Sequence, residues 1–169
     1  MEIGIALGTN LGDKVATLRH AIDLIAHEVG ELRACSRLYI TSALVPPERA
    51  EEIQPDYVNA VIVIETRRSP RDVLNLLQDI ERRLGRIRSE RWCARTIDLD
   101  LLFAGDTMVN TPELQIPHPE LPRRDFVLVP LVDVAPAWTH PMLNQTAKEL
   151  LATLVEEKRQ TYVKEVFER

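Results

Sequence analysis

The stretch Arg91-Trp92-Cys93-Ala94-Arg95-Thr96-Ile97-Asp98-Leu99-Asp100-Leu101-Leu102 places two aspartates two residues apart in an apolar run, directly after a segment rich in arginine. If Ile97–Phe103 is a β-strand, successive side chains alternate between its two faces. One face then carries the apolar residues Ile97, Leu99, Leu101 and Phe103. The other carries Thr96, Asp98 and Asp100, with the two carboxylates roughly 6–7 Å apart along the strand.

This pair of carboxylates predicts a bound cation. Two like charges on one face of a buried strand are costly unless a cation lies between or beside them. Oxygen ligands favour a hard ion such as Mg²⁺. Because several arginines stand just before the strand, the ligand shared by metal and arginines is expected to be a polyphosphate. A pair of solvated acids on a half-buried strand is the alternative that the pattern alone leaves open.

Length and composition are those of one globular domain covering residues 1–169. The net charge of −5 makes nucleic acid and anionic membranes unexpected partners. No apolar run approaches the ~18 residues of a membrane-spanning helix, and no export leader is evident, so we expect a cytoplasmic protein. We also expect it to act as a monomer. The two cysteines lack the spacing of a zinc site.

Hydrophobic periodicity predicts the element order β-α-β-β-α-β. Predicted strands are Glu2–Leu7, Leu32–Tyr39, Tyr57–Glu65 and the aspartate-bearing strand. One predicted helix starts at an Asp13 cap and stops at Gly30, and the other starts at Ser69-Pro70 and stops at Gly85. This order is typical of the ferredoxin-like fold, an α+β class with an antiparallel sheet flanked by helices.

Two long loops and a terminal pair of elements complete this prediction. The proline-containing loops Thr41–Asp56 and Asn110–Arg124 are expected to be catalytic or binding loops, because long loops in compact domains are often functional. Toward the C-terminus, Thr146–Glu157 predicts a surface helix and Thr161–Phe167 a last short strand.

Several blocks together resemble the 6-hydroxymethyl-7,8-dihydropterin pyrophosphokinase family. The most specific is Arg91–Asp100 itself, which is similar to the family's RWGPRTLDLD. Five further blocks resemble family segments. Ile5–Asp13 is similar to LGSNLGD, Gln54–Ala60 to QPDYLNA, and Glu81–Arg88 to E…GR-R. Ile116–Pro119 is similar to PHP and Arg124–Leu131 to RxFVLxPL. They are collinear and span roughly residues 3–136.

The resemblance implies a Mg²⁺-dependent transfer of pyrophosphate from ATP to the hydroxymethyl group of 6-hydroxymethyl-7,8-dihydropterin, with release of AMP, in folate biosynthesis. The hydroxyl attacks the β-phosphorus in line with the AMP leaving group. ATP is then a co-substrate, and two Mg²⁺ ions are implied. Little covalent chemistry is needed from protein groups, so positioning and charge neutralisation should dominate catalysis.

The resemblance also implies roles for individual residues. The implied catalytic residues are Arg86, Arg88, Arg95, Asp98 and Asp100, of which the two aspartates hold the metal. The implied ATP contacts are Gln78, Glu81, Arg95, Leu101, His118 and Arg124. The implied pterin contacts are Asn10, Thr41, Leu44, Tyr57, Asn59, Trp92 and Phe126. Aromatic rings at Tyr57 and Phe126 suit a flat heterocycle, and the Asn59 amide both donates and accepts hydrogen bonds.

The chain departs from the family pattern in two places, and two other functions stay open. Thr41-Ser42-Ala43 stands where the family usually has Thr-Pro-Pro, and Cys93-Ala94 replaces Gly-Pro. A metal-dependent phosphohydrolase would use the same aspartates, with a residue such as His118 to activate water. A nucleotide-binding module without turnover is the other alternative. Formation of AMP and a pterin diphosphate would distinguish the pyrophosphokinase from both.

Overall fold

The structure is a computed structural model that describes residues 1–43, 48, 54–85, 97–157 and 163–167. Its strands are β1 (Glu2–Thr9), β2 (Glu31–Cys35), β3 (Leu38–Thr41), β4 (Tyr57–Glu65), β5 (Asp98–Ala104), β6 (Val109–Asn110), β7 (Gln115–Ile116), β8 (Thr139–His140), β9 (Gln145–Thr146) and β10 (Val163–Phe167). Its helices are α1 (Lys14–Glu28), α2 (Pro70–Arg83), α3 (Asp125–Val134) and α4 (Ala147–Glu157).

One antiparallel sheet separates two apolar cores. Its strand order is β10-β3-β4-β1-β5, and β2 also pairs with β4. The first core lies between the sheet and helices α1 and α2, with Ile22 and Ile80 buried in it. The second lies on the other face, under α3 and α4, and contains Leu128 and Leu150. This arrangement confirms the predicted ferredoxin-like α+β core with flanking helices.

The predicted helix starts are confirmed by their capping contacts. The Asp13 carboxylate accepts a hydrogen bond from the Ala16 N–H at 3.1 Å, ahead of α1. The Ser69 hydroxyl accepts one from the Asp72 N–H at 3.2 Å, and Pro70 opens α2. Each cap satisfies an N–H that has no partner within its helix.

Within the described ranges, no helix is long and apolar enough to cross a membrane.

The prediction of one strand over Leu32–Tyr39 is wrong, because the segment is divided into β2 and β3. The break falls at Ser36, whose N–H donates to the Val61 carbonyl at 2.9 Å. The Ser36 hydroxyl accepts from the Val61 N–H, also at 2.9 Å. A side-chain oxygen thus takes the place of a main-chain carbonyl in the ladder, and regular pairing stops there.

The prediction that Phe103 shares a face with Leu101 is also wrong. Ile5 pairs with Leu101 and Gly4 with Phe103, so one extra residue on β5 forms a β-bulge. A bulge reverses the alternation beyond it. Phe103 therefore packs in the second core, where its ring lies 4.6 Å from that of Trp138. A Cβ on Gly4 would collide with the Phe103 ring, at 2.2 Å, so glycine makes room for the reversal.

Candidate active site

The candidate site is built on one cross-strand row of the sheet. Gly8 of β1 pairs with Asn59 of β4 on one side and with Asp98 of β5 on the other. Paired residues in a sheet point to the same face. In the next row on that face, Ala6 pairs with Asp100. The strand register therefore brings the predicted pterin amide and both predicted metal ligands to one face, the face covered by α3.

Gly8 keeps the centre of this row open. A Cβ on Gly8 would lie 2.9 Å from Asn59 Oδ1 and 3.7 Å from the Tyr57 ring. The first distance is shorter than real Cβ contacts, so a larger residue would displace the Asn59 amide. Sequence reasoning missed Gly8. The predicted strand ends at Leu7, whereas β1 continues to Thr9, so Gly8 is a glycine inside a strand, which often marks the close approach of a ligand or another backbone.

Asp98 and Asp100 are half-buried, and Leu99 between them is buried in the first core. The predicted alternation is thus confirmed for this part of β5. Within the described ranges, no cluster of three or more histidine, cysteine or acidic side chains is placed to hold a metal. Two carboxylates alone suit Mg²⁺, which usually takes one or two from the protein and completes its shell with phosphate oxygens and water. The donor set therefore fits a metal that is carried by ATP.

The start of α3 adds a cation and an aromatic ring to this face. The Arg124 Nη1 lies 3.8 Å from Asp100 Oδ2, and its guanidinium lies 5.7 Å from the centre of the Phe126 ring. The buried Asp125 carboxylate accepts the Phe126 N–H at 2.8 Å. Arg124 and Phe126, predicted for ATP and pterin respectively, are therefore close to the carboxylate pair.

The predicted pterin residues of β3 and β4 are also adjacent. The Asn59 Nδ2 donates to the Thr41 hydroxyl at 2.7 Å, and both residues are buried. Tyr57 pairs with Thr41 across the strands and is half-buried. Asn10 is buried and its amide donates to the Pro55 carbonyl at 3.3 Å. The Asn10 contact holds the chain that leads into Tyr57.

His118 lies beside the same face with a defined tautomer. Its Nδ1 accepts the Glu120 N–H at 3.1 Å, so the proton of the neutral ring is on Nε2. Burial lowers the pKa of His118 below its usual 6.5, and the Arg124 charge lowers it further, against smaller opposing effects of Glu120 and Asp98. At neutral pH the imidazole is thus a neutral Nε2–H donor.

We expect an NMR titration of the His118 ring to show a midpoint below 6.5. As pH falls through this region the unfolded chain binds the proton more readily than the folded protein, so stability is lost. His140, whose pKa is also lowered by burial, acts in the same direction. The comparison is therefore made with His118→Asn, which should lose less stability than the wild type on acidification. A midpoint at or above 6.5 would contradict the expectation.

The remaining predicted residues divide into three groups. Gln78 and Glu81 lie on α2, with Gln78 half-buried and Glu81 buried. The Leu101 side chain is buried in the first core, on the face opposite Asp100, so only its main chain could meet a nucleotide. Outside the described residues lie Leu44, Arg86, Arg88, Trp92 and Arg95.

The structure is thus an α+β domain with a carboxylate pair and an adjoining arginine on one face of its sheet. A family model described as 7,8-dihydro-6-hydroxymethylpterin-pyrophosphokinase (HPPK) matches residues 4–136. This chain belongs to that family.

Individual relatives agree with this assignment, and a solved structure shares the fold. The 2-amino-4-hydroxy-6-hydroxymethyldihydropteridine pyrophosphokinase of Synechocystis is 40% identical over 87% of this chain and 73% of its own length. The enzyme of the same name from Haemophilus influenzae is 39% identical over 91% of this chain and 93% of its own. The HPPK-DHPS crystal structure from Plasmodium falciparum shares the fold, with a TM-score of 0.75 at 17% identity over 96% of this chain. This chain spans about half of that longer one, 48%.

Proposed function

We propose that this chain transfers pyrophosphate from ATP to the hydroxymethyl group of 6-hydroxymethyl-7,8-dihydropterin, with release of AMP, on the sheet face that carries Asn59, Gly8 and Asp98. The transfer of pyrophosphate to this pterin is the reaction of its family. The observation that supports the proposal is the cross-strand row, in which the Asn59 amide and the Asp98 carboxylate lie on either side of Gly8 and on the same face of the sheet. A pterin held at one end of this row and a phosphate held at the other would meet over Gly8, where the pterin hydroxyl must reach the β-phosphorus.

Asp98 and Asp100 would hold the magnesium, and we propose that they serve two ions. Bound Mg²⁺ neutralises phosphate charge as it develops in the transfer. Arg124 supports the same role, because its guanidinium is close enough to Asp100 to meet a phosphate bound at the carboxylates. The Nε2–H of His118 is a further donor toward phosphate oxygens.

Thr41, Tyr57, Asn59 and Phe126 would bind the pterin. The Asn59 amide donates one N–H to the Thr41 hydroxyl. Its second N–H and its carbonyl oxygen can form hydrogen bonds with a polar ring edge. Tyr57 and Phe126 supply aromatic surface for the ring faces. The chain's net charge of −5 disfavours nucleic acid as a partner. The expected partners are ATP and the pterin, and we propose a monomer.

A coupled assay for AMP tests this proposal. We expect AMP and a pterin diphosphate only when ATP, Mg²⁺ and the pterin alcohol are all present. Release of inorganic phosphate without the pterin would identify a phosphohydrolase instead. Binding of ATP without turnover in the complete mixture would identify a nucleotide-binding module.

We expect Arg86→Ala to slow the chemical step more than it weakens ATP binding. Loss of one donor aimed at developing charge typically lowers a chemical rate by about 10²-fold. Single-turnover kinetics with excess enzyme measures this step. Arg83→Ala is the matched control, since Arg83 lies at the end of α2 and pairs with Glu28 on the surface at 2.6 Å. An unchanged chemical step in Arg86→Ala would rule out this role.

A further inference from the structure

A buried carboxylate contacts the main chain of the metal-binding strand from the side opposite the site. Glu81, in the last turn of α2, is only 4% exposed. Its Oε1 accepts the N–H of Leu99 at 2.7 Å. Burying a carboxylate is costly unless hydrogen bonds compensate it, and a bond from an N–H to a carboxylate is about twice as strong as a neutral one. The contact is therefore a significant constraint on β5.

The Leu99 N–H lies on the outer edge of the sheet. In the described sheet β5 pairs with β1 and ends the strand order. Main-chain N–H groups of an antiparallel strand alternate toward and away from the partner, and that of Leu99 is directed to Glu81 instead of β1. Further along this edge, the Leu102 carbonyl accepts the His118 N–H at 2.8 Å. Glu81 and His118 thus anchor the edge at two points.

We propose that Glu81 is a positioning residue that orients Asp98 and Asp100 by holding the peptide between them. This rests on the metal role proposed above for the two aspartates. The Leu99 nitrogen belongs to the peptide unit that joins Asp98 to Leu99, one residue before Asp100, so this hydrogen bond constrains the main chain from which both aspartates project. This role replaces the ATP contact that the family resemblance implies for Glu81, because the carboxylate acts through the main chain of β5 from the α2 side, where the Leu99 side chain is packed.

Two substitutions of Glu81 separate its acceptor from its charge. Glu81→Gln keeps an oxygen that can accept the Leu99 N–H, and Glu81→Met has similar length without an acceptor. We expect Glu81→Met to raise the Mg²⁺ concentration for half-maximal rate by about 10–100-fold, the usual cost of losing a group that orients metal ligands. The Mg²⁺ concentration for half-maximal rate of Glu81→Gln should stay close to that of the wild type. Asp79→Met, on the same helix with a side chain 45% exposed, is the matched control.

A second readout needs no turnover. In ¹⁵N-labelled protein, the Leu99 amide should exchange slowly with solvent in the wild type and in Glu81→Gln, and faster in Glu81→Met. If Glu81→Met fails to fold, slow exchange in the other two proteins together with a near-normal Mg²⁺ requirement of Glu81→Gln supports the proposal.

Three results would overturn it. The first is fast exchange of the wild-type Leu99 amide, and the second is exchange in Glu81→Met as slow as in the wild type. The third is a Mg²⁺ requirement in Glu81→Gln that is raised as far as in Glu81→Met, since Glu81 would then act by its charge. Asp98→Asn distinguishes a failure of the metal site itself: an unchanged Mg²⁺ dependence there refutes the metal role, while the amide exchange still reports the Glu81 contact.

Discussion

Asp98→Ala is expected to abolish product formation while the protein stays folded. Asp98 is half-buried at the first position of β5 and faces the candidate site, so its loss removes a proposed metal ligand without emptying a core position. We expect turnover to fall by about 10³-fold or more, the upper range for removing one group that stabilises transition-state charge. Steady-state AMP release at saturating ATP and pterin measures the effect, and circular dichroism reports the fold.

Asp106→Ala is the control for this variant. Asp106 is exposed in the turn that follows β5, so the same substitution there should leave turnover unchanged. Wild-type turnover of Asp98→Ala with saturating Mg²⁺ would refute the metal role of this carboxylate.

Gly8→Val is the second large effect that we expect. The backbone of Gly8 is not in the left-handed region, so valine is sterically acceptable to the strand itself. Its Cβ would however press on Asn59 Oδ1 at 2.9 Å and fill the space between the amide and Asp98. We expect kcat/KM for the pterin to fall by about 10²-fold, the scale for a misplaced substrate, while binding of Mg²⁺ and ATP persists.

Titration calorimetry with an ATP analogue measures nucleotide binding. Steady-state kinetics at varied pterin concentration measures kcat/KM for the pterin. Leu11→Val is the control, because Leu11 lies two residues after the end of β1 and is 38% exposed. A normal KM and kcat for the pterin in Gly8→Val would show that the substrate lies elsewhere.

Local chemistry made much of the fold predictable from sequence. The Ser69-Pro70 cap and the following Gly85 bound α2, and the apolar run Tyr57–Glu65 is β4 with the same limits. Such features depend on nearby residues alone. The break at Ser36 and the bulge before Phe103 depend on which strand lies alongside, so periodicity within one segment could not reveal them.

The candidate site shows the same division. The spacing of Asp98 and Asp100 predicts a pair of metal ligands, and the family resemblance adds Asn59 as a pterin contact. Only the register of β1 with β4 and β5 shows that Gly8 lies between these groups. The bond of Glu81 to Leu99 joins residues 18 apart across a helix and a strand, and no local pattern signals it.

The carboxylate pair is expected to bind metal-bound ATP next to the pterin. The most direct test is a crystal structure with Mg²⁺ and an ATP analogue that cannot be cleaved between its α- and β-phosphates. We predict metal density bound by both Asp98 and Asp100 and by phosphate oxygens, with the β-phosphate on the side of Gly8 and Asn59. Carboxylates that face solvent with no metal, while the analogue binds elsewhere, would contradict this assignment.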